Sequence, residues 1–172
     1  ASAMFCLAGT AAFWAIERHG CLAGLSGWDS LLNAWFQSVT TRTAGFNSVD
    51  LTAMGPGARA IVMALMFVGG ASGSTAGGIK ITTFTVLLLL LVAQLRGRDD
   101  VTFAGRRVAS LTVLNAAALT FLAGLTVLAA YLLLTLTQPL ASDLLLFEAV
   151  SAFGTVGLSL GITADLTSFG KG

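Results

Sequence analysis

Apolar residues run almost unbroken from Ala1 to Ile16 and stop at Glu17-Arg18-His19-Gly20. That stretch is short for a complete membrane span. After a polar stretch with Gly24, Ser26 and Gly27, Asp29 or Ser30 is placed to cap a helix over Leu31–Val39. With about three turns, this helix is too short to cross a bilayer. It leads into Thr40–Ser48, which is small, polar and poorly helical. Gly55-Pro56-Gly57 restarts a helix with proline near its first turn. Ala60–Val68 is apolar, Gly69–Gly78 holds five glycines in ten residues, and Ile79–Leu95 is apolar again. The pattern predicts one span broken in its middle. Residues 108–136 form the longest apolar helix, ended by Gln138-Pro139, and Ser142-Asp143 is placed to cap a second short helix, Leu144–Ala152. Phe153-Gly154-Thr155-Val156-Gly157-Leu158-Ser159 follows it.

Composition puts these helices in lipid. Of 172 residues, 56% are hydrophobic and 10% charged, and the mean hydropathy is +0.88. A soluble domain of this size needs more charge on its surface. The fold class is therefore all-α integral membrane. A net charge of +1 gives no electrostatic footprint for nucleic acid. Cys6 and Cys21 form no C-x-x-C and meet no histidine cluster, so they read as small buried thiols. Arg96, Arg98, Arg106 and Arg107 put the loop 96–107 in the cytoplasm by the positive-inside rule. Ala1–Met4 is neither a start methionine nor a charged leader region, and reads as the interior of a longer chain.

The chain repeats itself. Phe36-Gln37-Ser38-Val39-Thr40 matches Phe147-Glu148-Ala149-Val150-Ser151 at an offset of 111. Thr43-Ala44-Gly45-Phe46-Asn47-Ser48 matches Thr155-Val156-Gly157-Leu158-Ser159-Leu160 at an offset of 112. Each unit reads as span, short capped helix, glycine loop and returning span. Residues 1–107 form one unit with a broken returning helix and a cytosolic loop. Residues 108–172 begin the next, without its returning helix.

A short helix that enters the membrane and ends in irregular backbone is tolerated where that backbone lines a water-filled cavity. Carbonyls exposed there can replace the hydration shell of a monovalent cation, and the negative end of the helix dipole favours it. Thr43, Ala44, Gly45 and Phe46, with Thr155, Val156, Gly157 and Leu158, are the candidate filter residues, binding the ion through backbone carbonyls. The competing reading is two ordinary turn glycines. Gly69, Gly70, Gly73, Ser74, Thr75, Gly77, Gly78 and Lys80 fit a mobile plug under the filter. A phosphate-binding loop fails, because Ile79 separates Gly78 from Lys80 and Ile81 follows. Lys80 at membrane depth is a functional candidate, against simple snorkelling. Arg42 and Glu148 are placed either to act on ions at the entrance or to anchor nearby backbone.

Three motifs carry a resemblance to a known family: Thr41–Asn47, Gly73–Lys80 and Ser151–Ser159. In this order they resemble the Trk/Ktr/HKT superfamily of cation transporters, most closely its KtrB-type, TrkH-related membrane subunits. The resemblance implies four membrane-pore-membrane repeats around a K⁺ pore, with re-entrant pore helices and filter loops. This chain looks like the third repeat and most of the fourth. By the same resemblance Gly45 and Gly157 are filter glycines and 69–80 is an intramembrane gating loop. The protein is then a K⁺ uptake system of the cytoplasmic membrane, multi-pass, without a cofactor and not an enzyme. It works as a homodimer on a cytosolic nucleotide-binding ring with RCK domains. Both filter positions being glycine leans towards K⁺ over Na⁺. Rival readings are a Na⁺ or Na⁺/K⁺ transporter of the same family, a broken-helix secondary symporter, a nucleotide-binding enzyme and an assembly subunit without transport.

Overall fold

The computed structural model describes residues 2–70, 76–97, 102–103 and 106–162. Among the described residues six helices carry the fold: α1 (Ser2–Glu17), α2 (Gly27–Thr40), α3 (Pro56–Phe67), α4 (Ile81–Leu95), α5 (Ser110–Thr137) and α6 (Ser142–Phe153). A 3-10 turn, Leu51–Ala53, precedes α3. The chain is not purely helical among its described residues. Two-residue strands β1 (Thr102–Phe103) and β2 (Arg106–Arg107) pair antiparallel within the arginine-rich loop.

Only α5 is long and apolar enough by itself to cross a membrane among the described residues. Its 28 residues extend about 42 Å, against about 30 Å of hydrocarbon. Leucine and phenylalanine project from it on every side, with Leu114, Phe121 and Leu132 all exposed. A helix apolar all round suits lipid or neighbouring membrane helices, not water. Helices α1, α3 and α4 are shorter apolar elements.

The caps differ from the sequence reading. Ser26, not Asp29 or Ser30, caps α2: its Oγ accepts the Asp29 N–H at 3.2 Å and donates to Asp29 Oδ2 at 2.7 Å. Serine and a carboxylate three residues later satisfy each other, a reciprocal form of capping. Ala141 occupies the cap position of α6 and makes no side-chain bond. Ser142 and Asp143 are already helical, and Asp143 Oδ2 instead accepts from Arg59 Nη1 at 2.8 Å. Pro56 does fall in the first turn of α3.

The core sits where α1, α2, α3 and α6 meet. Phe13, Val62, Met66 and Phe147 are buried there, together with Val156 and Leu158 from the loop after α6. α1 and α2 approach closely because position 9 is glycine. A β-carbon there would lie 2.5 Å from Ser38 Oγ, which instead donates to Cys6 O at 2.9 Å. Small residues with a hydroxyl bond are the usual way to bring membrane helices together.

Candidate functional site

The two short helices end in loops of the same construction. Thr40 Oγ1 donates to Phe46 O at 2.7 Å, and Ser151 Oγ donates to Leu158 O at 2.6 Å. Ala44 N–H donates to Thr40 O at 3.2 Å, and Val156 N–H to Ser151 O at 3.0 Å. These pairs match residue for residue at the offsets of 111 and 112. Each helix thus folds its last turn over the loop and fixes it by a hydroxyl. The Thr40 hydroxyl also accepts the Phe46 N–H at 2.9 Å.

Backbone angles repeat too. φ is +70° at Thr43 and Gly45, +51° at Thr155 and +84° at Gly157, while Ala44 and Val156 keep a negative φ. In an extended strand successive carbonyls point to opposite sides. Reversing the sign of φ at every second residue turns them towards one side. Glycine takes such angles freely. A β-branched threonine does not, and each costs about 1–3 kcal/mol. The hydroxyl anchors fix the far end of each loop, at Phe46 and Leu158.

The loops also touch. A β-carbon on Gly45 would collide with the Val156 carbonyl oxygen, so glycine there is a packing requirement as well as a conformational one. Val156 and Leu158 are buried at 4% and 1% exposure, whereas Phe46 is 71% exposed. The second loop is therefore rooted in the core, and the first presents its aromatic ring outward.

The glycine-rich break has a closed neck. Gly69 N–H donates to Ile79 O at 2.8 Å, Ile79 N–H to Phe67 O at 2.9 Å, and Ile81 N–H to Gly70 O at 3.2 Å. Val68 and Ile79 form a parallel bridge. Gly77 N–H donates to Thr155 Oγ1 at 2.9 Å, so the segment reaches the second loop. Lys80 precedes α4, and its Nζ donates to Ala76 O at 2.7 Å. Gly73, Ser74 and Thr75 lie outside the described residues. A cavity of about 290 Å³ adjoins this exit, lined by Gly78, Lys80, Thr83, Ala123, Thr126 and Phe153 among others.

Arg42 and Glu148 both bond locally. The Arg42 guanidinium lies 5.1 Å over the Phe5 ring, and its Nη1 donates to Ser2 O at 3.4 Å. Its Nε and Nη2 are buried without a hydrogen-bond partner, as are both amide atoms of Gln37. Glu148 Oε1 accepts from Ser159 Oγ. Arg42 thus touches α1 through a ring and one backbone carbonyl, and Glu148 meets a side-chain hydroxyl of the loop that follows its helix.

Sequence reasoning missed Glu17, which is 2% exposed. Its carboxylate accepts the Cys21 N–H at 2.8 Å and the Gly55 N–H at 3.0 Å, tying the end of α1 to the start of α3. Its sequence signal was only a charge ending an apolar run. Burial, with Glu17 adding to it, pushes the Cys21 thiol up to about 12. On the loop before α3, hydrogen bonds from Thr52 hold the Asp50 carboxyl below its usual range. Among the described residues no group of three or more His, Cys, Asp or Glu comes together.

Comparison with known proteins identifies the family of the chain. Residues 10–172 match the TrkH family, described as cation transport proteins. The chain is 41% identical to Ktr system potassium uptake protein B of Vibrio alginolyticus, over 99% of its own length and 38% of that protein's. It is 41% identical to the Bacillus subtilis protein of the same name, over 90% of the chain and 35% of the relative. It is 38% identical to the potassium/sodium uptake protein NtpJ of Enterococcus hirae, over 99% and 39%. The chain thus spans a little over a third of the length of these relatives. It belongs to the TrkH family of cation transport proteins, and so is part of a membrane protein.

Proposed function

We propose that residues 43–46 and 155–158 are two of the carbonyl-bearing loops of a K⁺-selective filter, in a protein that takes up K⁺ across the cytoplasmic membrane. The observation that carries this reading is the shared alternation of φ at Thr43, Gly45, Thr155 and Gly157. In this reading the carbonyls of residues 43–45 and 155–157 turn to one side at the negative end of each short helix, those of Phe46 and Leu158 being taken by Thr40 and Ser151, and the two loops make half of a ring that replaces a hydration shell. The other half belongs to the rest of the longer protein, as two further repeats. The names of the Vibrio and Bacillus relatives support K⁺ as the ion.

Residues 69–80 act as the gate in this reading. Hydrogen bonds join Phe67–Gly70 to Ile79 and Ile81 at the two ends of this segment, and a cavity lies beside Gly78 and Lys80 at its exit. The arginine-rich loop 96–107 faces the cytosol and is the docking side for an RCK-type nucleotide-binding ring under a homodimer.

The test is selectivity in the full-length protein. Gly45→Ser and Gly157→Ser are each expected to lower K⁺ preference over Na⁺ in reconstituted vesicles. Wild-type selectivity in both variants would sink the filter assignment. A second reading, Na⁺ together with K⁺, is favoured by the name of the Enterococcus relative. It predicts substantial Na⁺ flux in the unmodified protein.

A further inference from the structure

The equivalent threonines of the two loops use their hydroxyls differently. Thr43 Oγ1 donates to the carbonyl of its own neighbour, Arg42, at 2.5 Å. Thr155 Oγ1 accepts a backbone N–H from a distant segment, that of Gly77, at 2.9 Å. The approach is tight on every side. A β-carbon on Gly77 would lie 2.8 Å from Phe153 O, from the Gly154 carbonyl carbon and from Thr155 Oγ1. A β-carbon on Gly154 would lie 2.8 Å from Met66 O. Glycine at 77 lets the segment reach this hydroxyl, and glycine at 154 lets the loop lie against the end of α3.

Thr155 is also the strained member of its loop, a β-branched residue at φ +51°. Such a residue leaves the left-handed region readily unless something holds it there. Relaxing to a negative φ would swing the side chain and take the acceptor away from Gly77. A cation on the loop carbonyls favours the conformation that turns them inward.

We propose that Thr155 is a positioning residue that couples cation occupancy of the second loop to the seating of residues 76–80. The proposal rests on reading 155–158 as a filter loop. The bound cation keeps Thr155 left-handed, and the Thr155 hydroxyl then holds the Gly77 amide. Loss of the cation lets Thr155 relax and frees the amide. Linkage makes the coupling reciprocal: seating the segment raises cation affinity by the same factor. One hydrogen bond sets the scale of that factor at about threefold to tenfold.

The experiment is hydrogen exchange of the Gly77 amide in the full-length protein in lipid nanodiscs, in K⁺ and in a large organic cation. Exchange is expected to be about threefold to tenfold slower in K⁺. Thr155→Val, which keeps the shape and removes the hydroxyl, should abolish the K⁺ dependence. Thr155→Ser should retain it. If the valine variant fails to assemble, Thr155→Ala serves the same comparison. Exchange independent of K⁺ in the unmodified protein overturns the coupling, as does a K⁺ dependence that survives removal of the hydroxyl. Loss of the dependence in the serine variant does so too, since it assigns the effect to the methyl group. The filter reading fails separately, through unchanged selectivity in both Gly45→Ser and Gly157→Ser.

Discussion

The carbonyl oxygen of Val156 occupies the space that a β-carbon on Gly45 would need. The two glycine loops, far apart in sequence, are fitted to each other at this point. Gly157, by contrast, has nothing within 4 Å of its β-carbon position, although its φ is +84°. Alanine at 157 therefore meets only the left-handed backbone penalty, about 1–2 kcal/mol. Alanine at 45 meets that penalty and must also displace the Val156 backbone. Gly45→Ala is expected to lower K⁺ over Na⁺ preference more than Gly157→Ala, measured as competing ⁸⁶Rb⁺ and ²²Na⁺ uptake. Equal losses would mean the contact between the loops does not matter for the ion.

Thr40 and Ser151 hold the two loops unequally. Thr40 both donates to Phe46 O and accepts Phe46 N–H, while Ser151 donates to Leu158 O. Thr40→Val strands two backbone groups at a site where Thr40 is 1% exposed, a loss of about 2–4 kcal/mol. Ser151→Ala strands one, about 1–2 kcal/mol. Thermal denaturation in detergent should rank them in that order, with the first loop losing selectivity first. The reverse ranking would contradict the anchoring roles.

What the sequence disclosed was periodicity and composition. The two short helices, the T-x-G loops and the one-residue insertion between them all follow from residue order, because helix length and glycine placement are local properties. The caps were misread because serine, aspartate and asparagine compete for such sites, and Asp143 is taken by Arg59, 84 residues away in sequence. The neck between Val68 and Ile79 and the bond from Gly77 to Thr155 have no local signature at all. They arise when the chain closes on itself, as does the burial of Glu17. Arg42 and Glu148 looked equally suited to the ion path and to bracing. Phe5 and Ser159, their contacts in the fold, favour bracing.

The Cys21 thiol gives a pH-dependent readout of the Glu17 tie. Its pKa is raised from 9.0 to about 12 by burial first and by the Glu17 carboxylate next. A raised pKa means the fold favours the protonated thiol. That stabilisation is complete below pH 9.0 and fades as pH climbs from there towards 12. Maleimide, which attacks the thiolate, should therefore label Cys21 slowly near neutral pH in a Cys6→Ala background. Glu17→Gln should speed labelling severalfold, because the negative neighbour is gone. Labelling that is fast at neutral pH without the substitution would contradict the raised pKa of this half-buried thiol.

Arg59 tests what an ion pair at the edge of the fold is worth. Its Nη1 meets Asp143 at 2.8 Å, but the Asp143 side chain is 56% exposed. Solvent screening limits the pair to about 0.5 kcal/mol. The same guanidinium also donates to Met54 O at 3.1 Å and Thr52 O at 3.3 Å. Asp143→Asn should thus be nearly silent in thermal stability, and Arg59→Ala should cost about 1–2 kcal/mol by loss of the carbonyl bonds. A double-mutant cycle showing strong coupling between the two would reverse this apportionment.

Lys80 separates bracing from conduction. Its Nζ bonds Ala76 O at 2.7 Å and ties the exit of the glycine-rich segment to the start of α4. Methionine at this position keeps the length and suits the bilayer, but it cannot donate. If the segment obstructs the path, Lys80→Met loosens the obstruction, and K⁺ flux in vesicles should rise a fewfold. Lys80→Arg, which can still donate, should stay closer to the unmodified protein. Reduced flux in a normally assembled Lys80→Met protein would instead show that the bond braces a conducting arrangement rather than an obstruction.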